Sequence, residues 1–218
     1  MIDLAPSPEA RRIALEEVIV KDDAEGLAGL LDHTAACAVD DHGMTLLMKA
    51  AVLGSLQCVE LLLPLSDPNA RDKHGFSILM WAAAKSNHRI VNALAPHCDL
   101  EYRDEAGWSA FMVVCKSKTF STLLAHCDPA KRQGHASEAL ILAASDGRVA
   151  MVKHLLPIAD CLFKDGSGRL ARDYAKTEGH GAVVNLIDAH LARQERAILK
   201  RVLVTAPTRS GKRGAARL

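Results

Sequence analysis

Apolar and polar positions along the chain recur with a period of 32 residues. Gly43, Gly75 and Gly107 lie 32 residues apart, and each separates a polar stretch from an apolar one. A second apolar stretch follows the first, and within it residues such as Val59 and Leu62 recur at intervals of three or four. That spacing is typical of the buried face of a helix. The chain is therefore predicted to consist of repeated units with two short helices each.

Each unit is predicted to contain a turn, a first helix, a tight reversal and a second helix. A hydroxyl group that can cap the first helix stands before it in three units, at Thr45, Ser77 and Ser109. A glycine that can adopt a positive φ follows the first helix in three units, at Gly54, Gly147 and Gly179. A proline ends the second helix at Pro64, Pro96 and Pro157. One unit cannot bury its apolar face alone, so the units must stack.

The recurring pattern Asp-x-x-Gly-x-Thr-x-Leu-x-x-Ala-Ala-x-x-Gly, followed by an apolar helix and a closing Asp, resembles the ankyrin repeat. Residues 40–54 carry it in full, and residues 72–83 echo it. The period is close to the 33 residues of that family. The resemblance covers roughly residues 9–192 and about five or six repeats. It implies an all-α solenoid of stacked helix-turn-helix units with short β-turn fingers.

The repeats are expected to be flanked by two different ends. Residues 1–39 are expected to form an N-terminal capping helix pair, and residues 193–218 a basic, partly disordered C-terminal extension. The repeats themselves are expected at about 40–71, 72–103, 104–132, 133–164 and 165–192. The third is three residues shorter near Phe120–Leu124, so we expect its second helix to lose a turn. In the fifth, Leu170 stands where other repeats carry the capping hydroxyl.

The composition predicts a soluble cytoplasmic protein. The chain is 49% hydrophobic and 24% charged, as in ordinary globular proteins. No apolar run approaches the roughly 18–20 residues that a membrane helix needs. The N-terminus lacks a basic stretch followed by an apolar one, so we expect no secretory signal. Six cysteines without such a signal indicate reduced thiols rather than a disulfide framework.

The charge is divided unevenly along the chain. From position 193 onward eight basic residues face one acid, Glu195, whereas residues 1–192 hold 19 basic and 25 acidic residues. Several interpretations of the basic tail stay open: an arm that binds nucleic acid or an acidic protein surface, a localisation signal, an arm that folds back on the acidic body of the chain, and a solvated extension of the last helix that ends in disorder. The tail contains no aromatic residue on which a base could stack. Its basic residues are Arg193, Arg196, Lys200, Arg201, Arg209, Lys212, Arg213 and Arg217.

Two motifs invite a chemical interpretation that their context opposes. His97-Cys98 and His126-Cys127 recur as a zinc site would, but ligands must lie about 2.0–2.3 Å from one metal, whereas stacked helices are roughly 8–10 Å apart. Residues 202–213 resemble a phosphate-binding loop, yet Ala206 replaces its first glycine and Arg213 its hydroxyl. No Gly-x-Ser-x-Gly or His-Glu-x-x-His pattern occurs. We therefore expect no enzyme, no metal and no cofactor.

The family resemblance implies a binding surface. In ankyrin proteins the turn tips and the first helices form a concave surface that holds partner proteins. Carried onto this sequence, that surface contains Met44, Phe76, Trp108, Trp81, Val52, Leu53 and Lys85. The implied function is to bind another protein, as a scaffold, adaptor or inhibitor; the alternative is a nucleic-acid-associated regulator that uses the basic tail. The apolar side chains could instead fold down over the turns and help to stack them.

Overall fold

The computed structural model describes residues 8–31, 38–114 and 117–205. Within these ranges it contains twelve α-helices, which follow one another along the chain as pairs. The pairs are α1 (Pro8–Val20) and α2 (Ala24–Leu30); α3 (Leu46–Leu53) and α4 (Leu56–Leu62); α5 (Ile78–Ala84) and α6 (His88–Leu94); α7 (Ala110–Val113) and α8 (Ser117–His126); α9 (Arg132–Ser145) and α10 (Val149–Leu155); α11 (Ala171–Thr177) and α12 (Gly181–Thr205). The all-α prediction is confirmed. None of these helices has the length and apolarity to span a bilayer.

The helix pairs stack into one continuous two-layer solenoid. The first helices of successive repeats contact one another, from α3 through α5, α7 and α9 to α11, and the second helices do the same. Ala50 and Ala51 are fully buried between neighbouring first helices, as are Ala82 and Ala83. Such small side chains let the backbones approach closely. Met48 is also fully buried, so this flexible side chain belongs to the stacking core.

Short turns precede most of the first helices and are called fingers here. Finger one spans residues 39–45, finger two 71–77, finger three 103–109 and finger five 164–170. Gly43 and Gly75 lie at the turns with φ of +78° and +79°, a region that L side chains rarely adopt. The Lys73 amide donates to the His42 carbonyl at 2.9 Å, which joins finger two to finger one.

Two of the three expected hydroxyl caps are confirmed. Thr45 Oγ1 accepts a hydrogen bond from the Met48 amide at 3.1 Å, and Ser77 Oγ accepts one from the Met80 amide at 3.3 Å. The expectation for Ser109 is wrong. The amide of Met112, three residues on, donates instead to the Ser109 carbonyl at 3.0 Å, and the Ser109 hydroxyl is buried without a partner among the described residues.

The shortened element of repeat three is its first helix, so the expectation of a shorter second helix is wrong. Helix α7 has four residues, whereas α8 has ten. Val114 leaves the helix with an extended backbone (φ −69°, ψ 132°). Buried Phe111 and Phe120 pack against each other, with ring centroids 5.8 Å apart, and fill the space beside the short helix. Packing between the two helices of the repeat therefore decides which helix is shortened by the three-residue deletion.

Repeat four begins with a helix where the repeat pattern predicts a turn. Helix α9 has 14 residues and starts at Arg132, so the segment equivalent to a finger is helical. Ala136 stands in the place of the turn glycine, and Gln133 in the place of the finger aspartate. The segment therefore lacks both a residue that tolerates positive φ and a carboxylate that could hold the loop. Because neither is present, the backbone continues as a helix.

The C-terminal extension begins as a helix. Helix α12 runs through 25 residues to Thr205, and the side chains of residues 193–201 are all exposed. The remaining basic positions of the tail, Arg209, Lys212, Arg213 and Arg217, lie outside the described residues, as does most of the loop-like segment that contains Ala206.

Candidate protein-binding surface

The surface built by the fingers and the exposed sides of the first helices, called the finger surface, carries the residues that the sequence singles out. Met44 and Phe76 are half-buried and pack against the core, so for them the folded-down alternative holds in part. Trp108 has 38% of its surface exposed. The three side chains do follow successive fingers, but Trp108 projects most strongly.

Trp81 stabilises finger two through a hydrogen bond, a role that the sequence did not predict. Its indole Nε1 donates to Asp72 Oδ2 at 2.9 Å, and its ring lies 5.3 Å from that of Phe76. The other oxygen, Asp72 Oδ1, accepts the amides of His74 and Phe76, both at 2.9 Å. One carboxylate therefore shapes finger two and, through Trp81, ties it to helix α5.

The same clamp recurs in two other repeats with a different donor. In each case the donor stands nine residues after the finger aspartate, and its partner is the Oδ2 atom. The pairs are Lys49 Nζ with Asp40 at 3.0 Å and the Tyr174 hydroxyl with Asp165 at 2.6 Å. The spacing Asp-x8-Lys/Trp/Tyr is visible in the sequence and would have identified this clamp.

In fingers one and five, hydrogen bonds lower the pKa of the finger aspartate and so favour its ionised form. For Asp40 burial acts to raise the pKa, but the Met44 amide, Lys49 and the His42 amide together lower it. For Asp165 the Tyr174 hydroxyl is the largest cause of a lowered pKa, followed by the Ser167 hydroxyl. An ionised carboxylate accepts stronger hydrogen bonds than a neutral acid. Ionisation of Asp40 and Asp165 therefore strengthens the hydrogen bonds that shape fingers one and five.

Finger three is held in another way. Val113, whose side chain has no donor, stands at the donor position, and Asp104 Oδ1 accepts the finger amides of Ala106 at 3.0 Å and Trp108 at 2.8 Å. Arg103 instead donates to both carboxylate oxygens of Glu138 at 2.8 and 2.7 Å, and thus connects finger three to helix α9.

The remaining predicted residues lie away from the finger tips. Val52 and Leu53 end helix α3, and Leu53 is 52% exposed. Lys85 is exposed directly after helix α5. These three side chains extend the finger surface toward the reversals between first and second helices.

The His-Cys pairs lie at the ends of second helices. Cys98 Sγ donates to the Pro68 carbonyl at 3.4 Å, and His126 Nε2 lies 3.1 Å from Asn92 Oδ1. Burial, with Asp67 and Asp99, raises the pKa of the Cys98 thiol to about 12, so it stays protonated, whereas the thiolate is the metal-binding form. The described residues include no group of three His, Cys, Asp or Glu side chains that could hold a metal ion.

Replacing Trp81 tests the clamp. Trp81→Phe removes a hydrogen bond to a charged acceptor and keeps an aromatic ring beside Phe76, so we expect the free energy of unfolding to fall by about 1–2 kcal/mol. Urea denaturation followed by circular dichroism measures this. The matched control is Trp108→Phe, at an exposed ring, which we expect to change stability by less than about 0.5 kcal/mol. Equal losses in both variants would contradict the clamp.

Comparison with known proteins gives consistent matches. A family model described as ankyrin repeats, with three copies, matches residues 47–133 and 79–165. The crystal structure of EF0377, an ankyrin repeat protein, is similar with 26% identity and a TM-score of 0.65, covering 81% of this chain and 96% of that chain. No curated protein matches this chain.

Two further solved structures support the fold. The ankyrin repeat domain of Bcl-3, a member of the IkappaB family, has 22% identity and a TM-score of 0.68, covering 81% of this chain and 85% of its own. A chain from the complex of the Bd0816 predatory endopeptidase from Bdellovibrio bacteriovorus with immunity protein Bd3460 has 24% identity and a TM-score of 0.66, covering 81% of this chain and 97% of its own.

Proposed function

The chain belongs to the ankyrin-repeat family, and from this premise we propose that it is a non-catalytic module that binds another protein on its concave finger surface. Ankyrin repeats mediate protein–protein interaction. The observation that carries the proposal is Trp108, a large aromatic side chain that is 38% exposed at a structured finger. Exposed tryptophans on rigid supports are frequent anchors of protein interfaces.

Met44, Phe76 and Trp108, together called the apolar row, are proposed as the centre of the interface. Each follows the turn glycine of its finger, and its amide donates to the finger aspartate, at 3.0, 2.9 and 2.8 Å respectively. A backbone held in this way loses little conformational entropy when a partner binds. The half-buried Met44 and Phe76 side chains contribute their exposed edges.

Val52, Leu53, Trp81 and Lys85 are proposed to surround the apolar row. Trp81 contributes mainly by holding finger two, whereas exposed Leu53 offers direct apolar contact. Lys85 supplies a charge at the rim, where charges influence association rate and specificity more than affinity. A scaffold, an adaptor and an inhibitor would each use such a surface.

The first experiment is affinity capture from lysate of the source cells with the wild type and with the triple variant Met44→Ala, Phe76→Ala, Trp108→Ala. Proteins captured only by the wild type are the expected partners, and with a purified partner the triple variant should bind at least about tenfold more weakly. Leu65→Ala is the control, because Leu65 is exposed but follows a second helix. Identical capture by all three proteins would contradict the apolar row as the interface.

A second candidate function rests on helix α12. Arg193, Arg196 and Lys200 are all exposed on the part of α12 that extends beyond the fifth repeat. Such a basic helix could bind nucleic acid through phosphate contacts. Arg196→Glu with Lys200→Glu should then abolish salt-dependent retention of the protein on DNA or RNA. Absence of retention in the wild type would remove this candidate.

A further inference from the structure

The helical start of repeat four leaves an open cleft between finger three and finger five. At this place the regular repeat would insert a fourth finger, but helix α9 continues there from Arg132 to Ser145. The cleft has a volume of about 310 Å³. It is lined by Arg103, Met112, Glu138, Ile141, Leu142, Ser145, Phe163, Asp165, Gly166 and Tyr174.

The floor of the cleft is apolar and partly accessible. Met112, Leu142 and Phe163 are half-buried, and Ile141 closes the bottom with 8% of its surface exposed. These side chains come from helix α7, helix α9 and the segment before finger five. A cavity of this size and composition is at the lower end of the range in which proteins bind small ligands or single side chains.

Both walls of the cleft are fixed by charged hydrogen bonds. On one side Arg103 binds both oxygens of Glu138 and also donates to the Gly107 carbonyl at 3.1 Å. On the other side Tyr174 donates to Asp165 at 2.6 Å. Because both walls are already held in place, a bound side chain would meet a preformed surface. The cleft residues would therefore lose little conformational entropy on binding.

The charges that line the cleft are unequal. Glu138 and Asp165 contribute two negative charges, and Arg103 contributes one positive charge that is already engaged by Glu138. The cleft therefore combines an apolar floor with a rim that favours a cation.

We propose that this cleft receives an extended segment of the partner protein, which inserts one leucine-sized apolar side chain and places a neighbouring lysine or arginine beside Glu138 and Asp165. This inference rests on the proposed function, because it assigns a specific contact to the same finger surface. The segment takes the position that a fourth finger occupies in a regular repeat.

The test uses defined peptides and methyl NMR of the full chain. Acetyl-Gly-Leu-Arg-Gly-amide is titrated while the methyl groups of Met112, Ile141 and Leu142 are observed. We expect saturable shifts at these methyls. Acetyl-Gly-Gly-Arg-Gly-amide should bind at least about tenfold more weakly because it lacks the apolar side chain. Acetyl-Gly-Leu-Glu-Gly-amide should bind several-fold more weakly, by a factor that shrinks at high salt.

A pair of matched variants confirms the location. Ser145 and Ala84 are each the last residue of a first helix, but only Ser145 borders the cleft. Ser145→Trp fills the cleft from the helix surface and should abolish the shifts, whereas Ala84→Trp should leave them unchanged. Absence of saturable shifts in the wild type, equal shifts with all three peptides, or shifts that persist in Ser145→Trp would overturn the inference.

The outcomes separate this inference from the proposed function. If the peptides fail to bind while partner capture still depends on the apolar row, only the cleft assignment is lost. If the peptides bind but the triple variant captures the same proteins as the wild type, the apolar row is lost as the interface and the cleft remains.

Discussion

Phe111→Ala is expected to lower the free energy of unfolding by about 3–5 kcal/mol, the usual cost of deleting a fully buried phenylalanine. Phe111 has no exposed surface, its ring packs edge-on against Phe120, and it stacks on the ring of His135 at 4.0 Å. It therefore joins the short helix α7 to both α8 and α9. The cavity would lie in the repeat whose first helix has only four residues. Guanidinium denaturation measures the loss.

The matched control is Trp108→Ala, three residues earlier, at a ring that is 38% exposed. We expect it to cost at least about 1 kcal/mol less than Phe111→Ala, because 38% of the Trp108 surface is already exposed to solvent whereas Phe111 is fully buried. This control also shows whether the interface variant keeps its fold. If both substitutions lowered the denaturation midpoint equally, Phe111 would not be the centre of packing between repeats three and four.

Gly43→Ala is expected to destabilise the chain by about 2–3 kcal/mol for two reasons. At φ +78° an added Cβ costs about 1–2 kcal/mol in strain. That Cβ would also lie 2.9 Å from the Lys73 backbone nitrogen, which donates to the His42 carbonyl. Loss of this bond between fingers adds about 1 kcal/mol. Thermal and urea denaturation measure the combined effect.

Gly107→Ala separates the two contributions. Gly107 has a similar φ of +83°, but an added Cβ there would meet no atom within 4 Å. Its substitution should therefore cost only the backbone strain, about 1–2 kcal/mol. Equal costs at Gly43 and Gly107 would indicate that contact between fingers one and two contributes nothing to stability.

The features that were predictable from the sequence are those set within one repeat. The 32-residue spacing of Gly43 and Gly75 identifies the turns, because only glycine adopts their backbone conformation readily. Thr45 and Ser77 identify helix starts, because each hydroxyl accepts a hydrogen bond from the amide three residues later and so caps the helix. The Asp-x8-donor clamp could also have been found in this way.

Features that depend on contact between repeats were not predictable. Ser109 has the same local pattern as Ser77, yet the Met112 amide donates to the Ser109 carbonyl and not to its hydroxyl. The short helix that follows packs through Phe111 against Phe120 of the next helix. The exposed fractions of Met44 and Trp108 likewise depend on what the neighbouring finger covers.

The sequence by itself determined the family, the helical class, the turns and the register of the stack, because these follow from short-range backbone preferences and from the need of each unit to bury one face. Only the tertiary structure decided what the fingers expose and how the space beside helix α9 is shaped. Helix α9 replaces the fourth finger, and the resulting cleft has walls from helices α7 and α9 and finger five. A cavity between three repeats depends on the packing of all three, and no single segment of sequence encodes it.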